Sequence, residues 1–309
     1  MNLIKTDIIN RSISKNPENF IFESEQCFDT SLEQLCDFIK ERRATHPVVL
    51  ISGPSGSGKT STAYKISEII KKKYNKNCSI ISLDNYFRSN SSPDMPKNHK
   101  GNIDLESPLC TDLELLQQHL ILIKQKKKFQ MPVFDFQTQA RSHYIPFVRE
   151  KGSVVIMEGI HALNPIVTGN TEEFATCVYI SVDSHIKSSD GSLLNPEIIR
   201  LLRRLCRDSL FRGRKTEEIF QYFDDLSIGE EKYIFPYRHR ADFNINTFMP
   251  YEVSIYKKLL ELKLKLCSDS FKENQRFKKI MKFFNELYPL NEDLVPKSSI
   301  LREFIGSKI

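Results

Sequence analysis

Pro47-Val48-Val49-Leu50-Ile51-Ser52-Gly53-Pro54-Ser55-Gly56-Ser57-Gly58-Lys59-Thr60-Ser61 is the stretch on which the reading of the fold turns. Its first six residues form a short apolar, β-branched run, the mark of a strand buried in a parallel sheet, and Lys59 to Lys72 reads as a helix. Between them, Gly53 to Thr60 meets every fixed position of G-x-x-x-x-G-K-[ST]. A loop of this kind turns successive backbone N–H groups inward around an anion, and the helix behind it adds its positive N-terminal end. Phosphate oxygens are the natural occupant. Gly53, Ser55, Gly56, Ser57 and Gly58 supply the cradle, Lys59 a point charge for the β- and γ-phosphates, and Thr60 a hydroxyl for Mg²⁺, with Ser61 next to it.

Working outward, Cys78-Ser-Ile-Ile-Ser-Leu83 predicts a second buried strand that delivers Asp84 at its carboxyl end. Ser153-Val-Val-Ile-Met157 predicts another, ending in Glu158, and Val178–Val182 one more. Ligands of open parallel sheets bind outside the carboxyl ends of the strands, so both acids are expected beside the loop. Alone, Asp84 would read as a helix N-cap; next to a phosphate loop it becomes a candidate base. Strands alternating with helical patterns predict an α/β fold, a doubly wound parallel sheet of the P-loop type with flanking helices. Arg88 to Asn102 is polar and reads as a surface flap, and Phe129 to Phe136 as a short strand.

The densest cationic run is Arg200-Leu-Leu-Arg203-Arg204-Leu-Cys-Arg207-Asp208-Ser-Leu-Phe-Arg212-Gly213-Arg214. On a helix, Arg200, Arg203, Arg204 and Arg207 share one face. This predicts a helical lid, about 196–228, whose arginines close over phosphates; the other reading is a solvated face paired to Asp208, Glu217 and Glu218. Three parts are expected: an N-terminal appendage of unassigned role (1–45), a P-loop core (46–250) and a C-terminal helical extension (251–309). In the first part, Thr30–Arg43 reads as a helix carrying Leu32, Leu35, Phe38 and Ile39 inward. In the last, Val253, Ile255, Leu259, Leu260 and Leu262 form an apolar stripe. Composition alone gives Ser299–Ile305 no job. The net charge of +6 is mild, and the seven cysteines include no C-x-x-C pair. With no signal peptide or long apolar stretch, the chain reads as cytoplasmic, without membrane or nucleic-acid partners.

Together these parts resemble the uridine kinase and phosphoribulokinase family of P-loop kinases over most of residues 47–305. The likeness is carried by Gly53–Thr60, Ser82-Leu83-Asp84-Asn85-Tyr86-Phe87, Asp104-Leu105-Glu106, Phe134-Asp135-Phe136, Met157-Glu158-Gly159-Ile160-His161 and the arginine run. Gly229-Glu230-Glu231-Lys232-Tyr233-Ile234-Phe235-Pro236-Tyr237 and Ser299-Ile300-Leu301-Arg302-Glu303-Phe304-Ile305-Gly306 are most similar to a bacterial-type subgroup of uridine or nucleoside kinases. Some of its members carry an N-terminal module resembling part of threonyl-tRNA synthetase, which the residues before Pro47 are too few to hold.

The resemblance implies ATP as co-substrate, Mg²⁺, and transfer of the γ-phosphate to the 5′-hydroxyl of uridine or cytidine, giving UMP or CMP in pyrimidine salvage. It implies that Asp84 orients and deprotonates that hydroxyl, assisted by Lys59 and by Arg204, Arg207 and Arg212. Thr60 and Glu158 would be metal-side residues, and Arg207 and Arg212 would also hold the nucleotide. Asp104 would take the ribose hydroxyls of the acceptor, with Arg204 and Gln221 near it and Phe134, Phe136 and Gln139 around its base. Phe134 and Gln139 stand where well-studied uridine-cytidine kinases use a tyrosine and a histidine, so the base preference stays open. Two alternatives remain: a P-loop kinase for another small hydroxyl acceptor, and a nucleotide-binding regulator with weak or no transfer. A homo-oligomer is also left open.

Overall fold

The computed structural model describes residues 2–98 and 101–306. From the N-terminus come β1 (Asn2–Lys5), α1 (Thr6–Lys15), α2 (Pro17–Arg42), β2 (Val48–Ser52), α3 (Lys59–Tyr74), β3 (Cys78–Ser82) and α4 (Leu113–Gln125). The hairpin β4 (Phe129–Asp135) and β5 (Ala140–Phe147) precedes β6 (Val154–Glu158), α5 (Pro165–Thr168), β7 (Ala175–Ser181), β8 (Ser184–Lys187) and β9 (Leu193–Leu194). Then follow α6 (Pro196–Phe211), α7 (Thr216–Tyr233), β10 (Phe243–Asn246), α8 (Glu252–Lys265), α9 (Asp269–Lys272), α10 (Gln275–Glu286) and α11 (Arg302–Ile305).

The apolar runs zip into a five-stranded sheet of order β10-β7-β2-β6-β3 in which every neighbouring pair is parallel. Helices cover both faces, which is why β2, β6 and β7 are buried along their whole length. Alternation along β2 sends Val49 and Ile51 into one apolar cluster and Val48 and Leu50 into another on the opposite face. β2 lies between β6 and β7, so the loop leaving its carboxyl end opens at the crevice where the connections diverge to either side.

Packing does not separate residues 2–45 from the rest. Ile9, Ile21, Phe28, Leu32, Leu35 and Ile39 join the same cluster as Ala63 and Ile66 of α3, and β1 runs parallel to β8 in a small sheet of order β1-β8-β9. The helix expected from Thr30 begins at Pro17, with the Asn16 side chain accepting from the Asn19 N–H (2.9 Å). In the last part, Leu262 departs from the expected stripe: it is 77% exposed, while Tyr256, Leu260 and Leu264 point inward at four-residue steps. All seven cysteines are free thiols. No helix among the described residues is long and apolar enough to cross a membrane.

Candidate active site

The loop from Gly53 to Gly58 has little freedom to be anything else. Gly53 has φ +156°, and a Cβ there would sit 2.0 Å from the Ile180 carbonyl oxygen of β7. Gly58 caps α3 at φ +84°. Four buried side chains brace the loop from behind. The Ser55 N–H donates to Glu230 (2.8 Å), and Arg200 donates to the Ser55 carbonyl (2.9 Å) while holding Glu230 through two 2.7 Å hydrogen bonds. Arg203 donates to the Gly56 carbonyl (3.1 Å) and pairs with Glu252 (2.7 Å). Thr247 Oγ1 donates to the Ser57 carbonyl (2.7 Å).

This divides the arginine stripe. Arg200 and Arg203 are 4% and 0% exposed and belong to the scaffold, not to a lid over phosphates. A buried guanidinium is tolerated only when fully paired. Their carboxylates, Glu230 on α7 and Glu252 on α8, are remote in sequence, so no local pattern shows them. Arg204, Arg207 and Arg212 border the cleft. All three share the buried Asp208 carboxylate, at 3.3, 2.8 and 3.3 Å. Burial acts to raise the Asp208 pKa, but Arg207 with its two neighbours holds it below the usual carboxylate range. Asp208 therefore fans three guanidiniums toward one opening, and Arg204 also donates to the Ser55 hydroxyl (2.6 Å).

Asp84 follows β3 and Glu158 ends β6, so adjacent parallel strands bring the two acids to the loop's side of the sheet. Burial and the charge of Glu158 push the Asp84 carboxyl up to about 6, with Lys59 opposing. Burial likewise raises Glu158, against Lys59 and hydrogen bonds from the Ser82 and Thr60 hydroxyls. Lys59 donates to the Pro54 carbonyl (3.1 Å); burial lowers its pKa, and Glu158, Glu303 and Asp84 act to restore its charge. One ammonium thus faces two partly desolvated carboxylates at the mouth of an anion cradle. Thr60 and Glu158 offer hard oxygens side by side, a donor pair that suits Mg²⁺ because this ion leaves its other positions to phosphate oxygens and water.

The cleft has a volume of about 1450 Å³. Phe134 and Phe136 line it with Phe87, Phe134 standing edge-on to both rings at 5.8 and 5.3 Å. Gln139 also lines it, but with φ +53° its amide donates to the Phe136 carbonyl (2.6 Å) and accepts from Asn90 (2.9 Å), tying the hairpin to the flap. Two expected substrate residues lie elsewhere. Asp104 faces a neighbouring cavity of about 320 Å³ and accepts from the Tyr233 hydroxyl (3.0 Å). Gln221 is exposed on α7 and borders neither space.

Glu106 and Tyr222 line both cavities and are joined by a 3.1 Å hydrogen bond. Burial pushes Glu106 up to about 7, the Tyr222 phenol opposing. The turn closed by Ser107 N–H to the Asp104 carbonyl (3.0 Å) decides which carboxylate reaches the cleft. Glu106 was visible within Asp104-Leu105-Glu106; Tyr222, one residue past Gln221, needed the phase of α7. Glu303 of α11 is a further acid on the cleft wall that sequence reasoning passed over. Burial holds His161 down to about 4, so its ring is neutral at pH 7.

Comparison with known proteins places this arrangement. A family model described as "Phosphoribulokinase / Uridine kinase family" matches residues 48–254. A uridine kinase of Lactobacillus helveticus is 31% identical over 198 residues, covering 63% of this chain and 84% of its own length. One of Halobacterium salinarum is 28% identical over 196 residues, covering 63% and 77%. A solved structure from Silicibacter sp. TM1040, provisionally described as a fructose transport system kinase, superposes with a TM-score of 0.52 at 19% identity, covering 69% of this chain and 98% of the other; it shares the fold. From its glycine loop, its sheet order and a match across two thirds of its length, the chain is a phosphotransferase of the phosphoribulokinase / uridine kinase family.

Proposed function

We propose that the protein transfers the γ-phosphate of ATP to the 5′-hydroxyl of a pyrimidine nucleoside, uridine or cytidine. The observation that carries this reading is the meeting of Thr60, Asp84 and the Asp208-held arginines on the wall of one cleft large enough for a nucleotide and a nucleoside end to end, with Lys59 and Glu158 close beside Asp84. The triphosphate lies in the Gly53–Gly58 cradle against Lys59, with Ser55, Ser57 and Ser61 around it. Thr60 and Glu158 would hold Mg²⁺, which would supply screening of the charge on the transferring phosphates. Asp84 accepts the acceptor's hydroxyl proton while the 5′-oxygen forms a bond to the γ-phosphorus and the bond from that phosphorus to the β,γ-bridging oxygen breaks, releasing ADP. A carboxyl with a pKa of about 6 suits this work, since a loose transition state asks for positioning more than for a strong base. Arg204, Arg207 and Arg212 neutralise charge on the moving group through planar, multiply donating guanidiniums. Glu106, with Tyr222 behind it, accepts hydrogen bonds from the acceptor's ribose, and Phe87, Phe134 and Phe136 offer ring edges and faces to its base.

A second reading, another small hydroxyl acceptor, draws on the hairpin. Phe134 has no polar group, and the Gln139 amide is already engaged with Phe136 and Asn90, so the base wall reads shape more than hydrogen-bond pattern. An acceptor screen with ATP and Mg²⁺, read by mass spectrometry, separates these. Monophosphate formation from uridine or cytidine supports the proposal, phosphorylation of a non-nucleoside alone favours the second reading, and nucleotide binding without transfer to any acceptor points to a regulatory protein.

A further inference from the structure

The closing segment, to which composition assigned nothing, is built into the donor end of the cleft. Ile300, Leu301 and Phe304 are buried against α6 and the loop, with the Arg203 guanidinium 5.1 Å from the Phe304 ring centre. This packing turns Glu303 outward. Its carboxylate accepts from the Ser61 hydroxyl at 2.6 Å and lies 3.9 Å from Arg207. Gly306 follows at φ +82°, so close to the Phe211 ring that a Cβ would sit 2.5 Å from it. Phe211 and Tyr64 are 55% and 61% exposed, yet both border the cleft.

A carboxylate here needs a reason, because an anion cradle repels it. Order along α3 supplies one. Thr60 serves the β- and γ-phosphate side, Ser61 stands one residue further toward the nucleoside, and Tyr64 lies three residues beyond, about 4.5 Å along the axis. When an α-phosphate takes the Ser61 hydroxyl, Glu303 loses its donor. The first hydrogen-bond donors beyond the α-phosphate of a nucleotide are the ribose hydroxyls, within one sugar's length of that position. The exposed rings of Tyr64 and Phe211 then face the space a base would fill, and stacking is the usual work of exposed aromatic rings beside a nucleotide.

We propose that Ser299–Gly306 forms the nucleoside wall of the donor site, with Glu303 accepting hydrogen bonds from the donor ribose hydroxyls and Phe211 and Tyr64 flanking its base. The segment thereby makes the enzyme selective for ribonucleotide over deoxyribonucleotide donors. This rests on the kinase reading above, so its test uses binding alone, without an acceptor. Isothermal titration of ADP and 2′-dADP, with Mg²⁺ in excess, is carried out on the wild type, Glu303→Gln and Phe211→Ala. The wild type should bind ADP about tenfold tighter than 2′-dADP, in line with hydrogen bonds to a charged acceptor. Glu303→Gln should lose most of that preference by weakening ADP alone, whereas Phe211→Ala should weaken both by about tenfold and keep the preference. Equal losses for the two nucleotides in Glu303→Gln, or a shifted Mg²⁺ requirement with no change in sugar preference, overturn the assignment and leave the kinase reading standing. Failure of the wild type to bind either nucleotide overturns both.

Discussion

Replacing Asp84 by asparagine should remove activity and add stability, and both effects follow from one environment. The Asp84 carboxyl is raised from the ordinary 3.8 to about 6, chiefly by burial and then by the nearby Glu158 charge. A raised carboxyl binds its proton more tightly in the folded state than in the unfolded state. The protonated form therefore folds at no penalty below about pH 4, and the cost of ionisation grows as pH rises to about 6, where it levels off. A difference of about two units corresponds to up to ~3 kcal/mol, since one unit is 1.36 kcal/mol. Asparagine is nearly the same shape and carries no charge, so Asp84→Asn should be more stable than the wild type by ~2–3 kcal/mol at pH 8 and by little at pH 4. Urea unfolding at the two pH values measures this. In the same protein, loss of the base should lower turnover by about 10²–10⁴-fold. The wild-type kcat/KM for ATP should fall below an inflection near pH 6, which the variant's residual activity should not show. An asparagine variant that is no more stable at pH 8, or a wild-type profile flat from pH 5 to 8, would refute the argument.

Four further substitutions probe other parts of the site. Glu230→Gln takes the counter-charge from buried Arg200 and turns one of its two carboxylate acceptors into an N–H donor, so it should cost about 3–5 kcal/mol in urea unfolding. Arg212→Ala removes a side chain that is 54% exposed, and should change stability by less than about 0.5 kcal/mol while lowering kcat about a hundredfold; an unchanged kcat would remove Arg212 from the machinery. Glu106→Gln should raise the KM for the acceptor about tenfold and leave that for ATP alone, whereas Gln221→Ala should alter neither. The reverse pattern would restore Gln221 to the acceptor site.

Four strands of the five-stranded sheet and the loop were legible because those strands are mainly apolar runs and the glycine pattern constrains backbone geometry directly, whereas the edge strand β10, Phe243-Asn-Ile-Asn246, alternates apolar and polar residues and was missed. Asp84 and Glu158 were legible for the same reason, since a carboxylate that ends a buried parallel strand has one side of the sheet to go to. The arginine helix was half legible. Its periodicity placed four guanidiniums on adjacent rows, but which rows face solvent was decided by Glu230 and Glu252, through pairings across 30 and 49 residues. The exposed strand β5, with polar residues such as Arg141, Ser142 and His143, lacks the apolar run that betrays buried strands. In the small sheet, β1 joins the local β8–β9 hairpin through a pairing across more than 180 residues. Leu262 satisfied composition but not phase.

The central claim, that one cleft holds a triphosphate and delivers its end to a primary hydroxyl, is tested most directly by ³¹P NMR of the wild-type protein with ATP, Mg²⁺ and either uridine or 5′-deoxyuridine. Loss of ATP with matching growth of a nucleoside monophosphate resonance and ADP is expected with uridine, and no phosphorylated nucleoside with 5′-deoxyuridine. Phosphorylation of 5′-deoxyuridine at another hydroxyl, or ATP hydrolysis to free phosphate with no phosphorylated acceptor, would contradict the account.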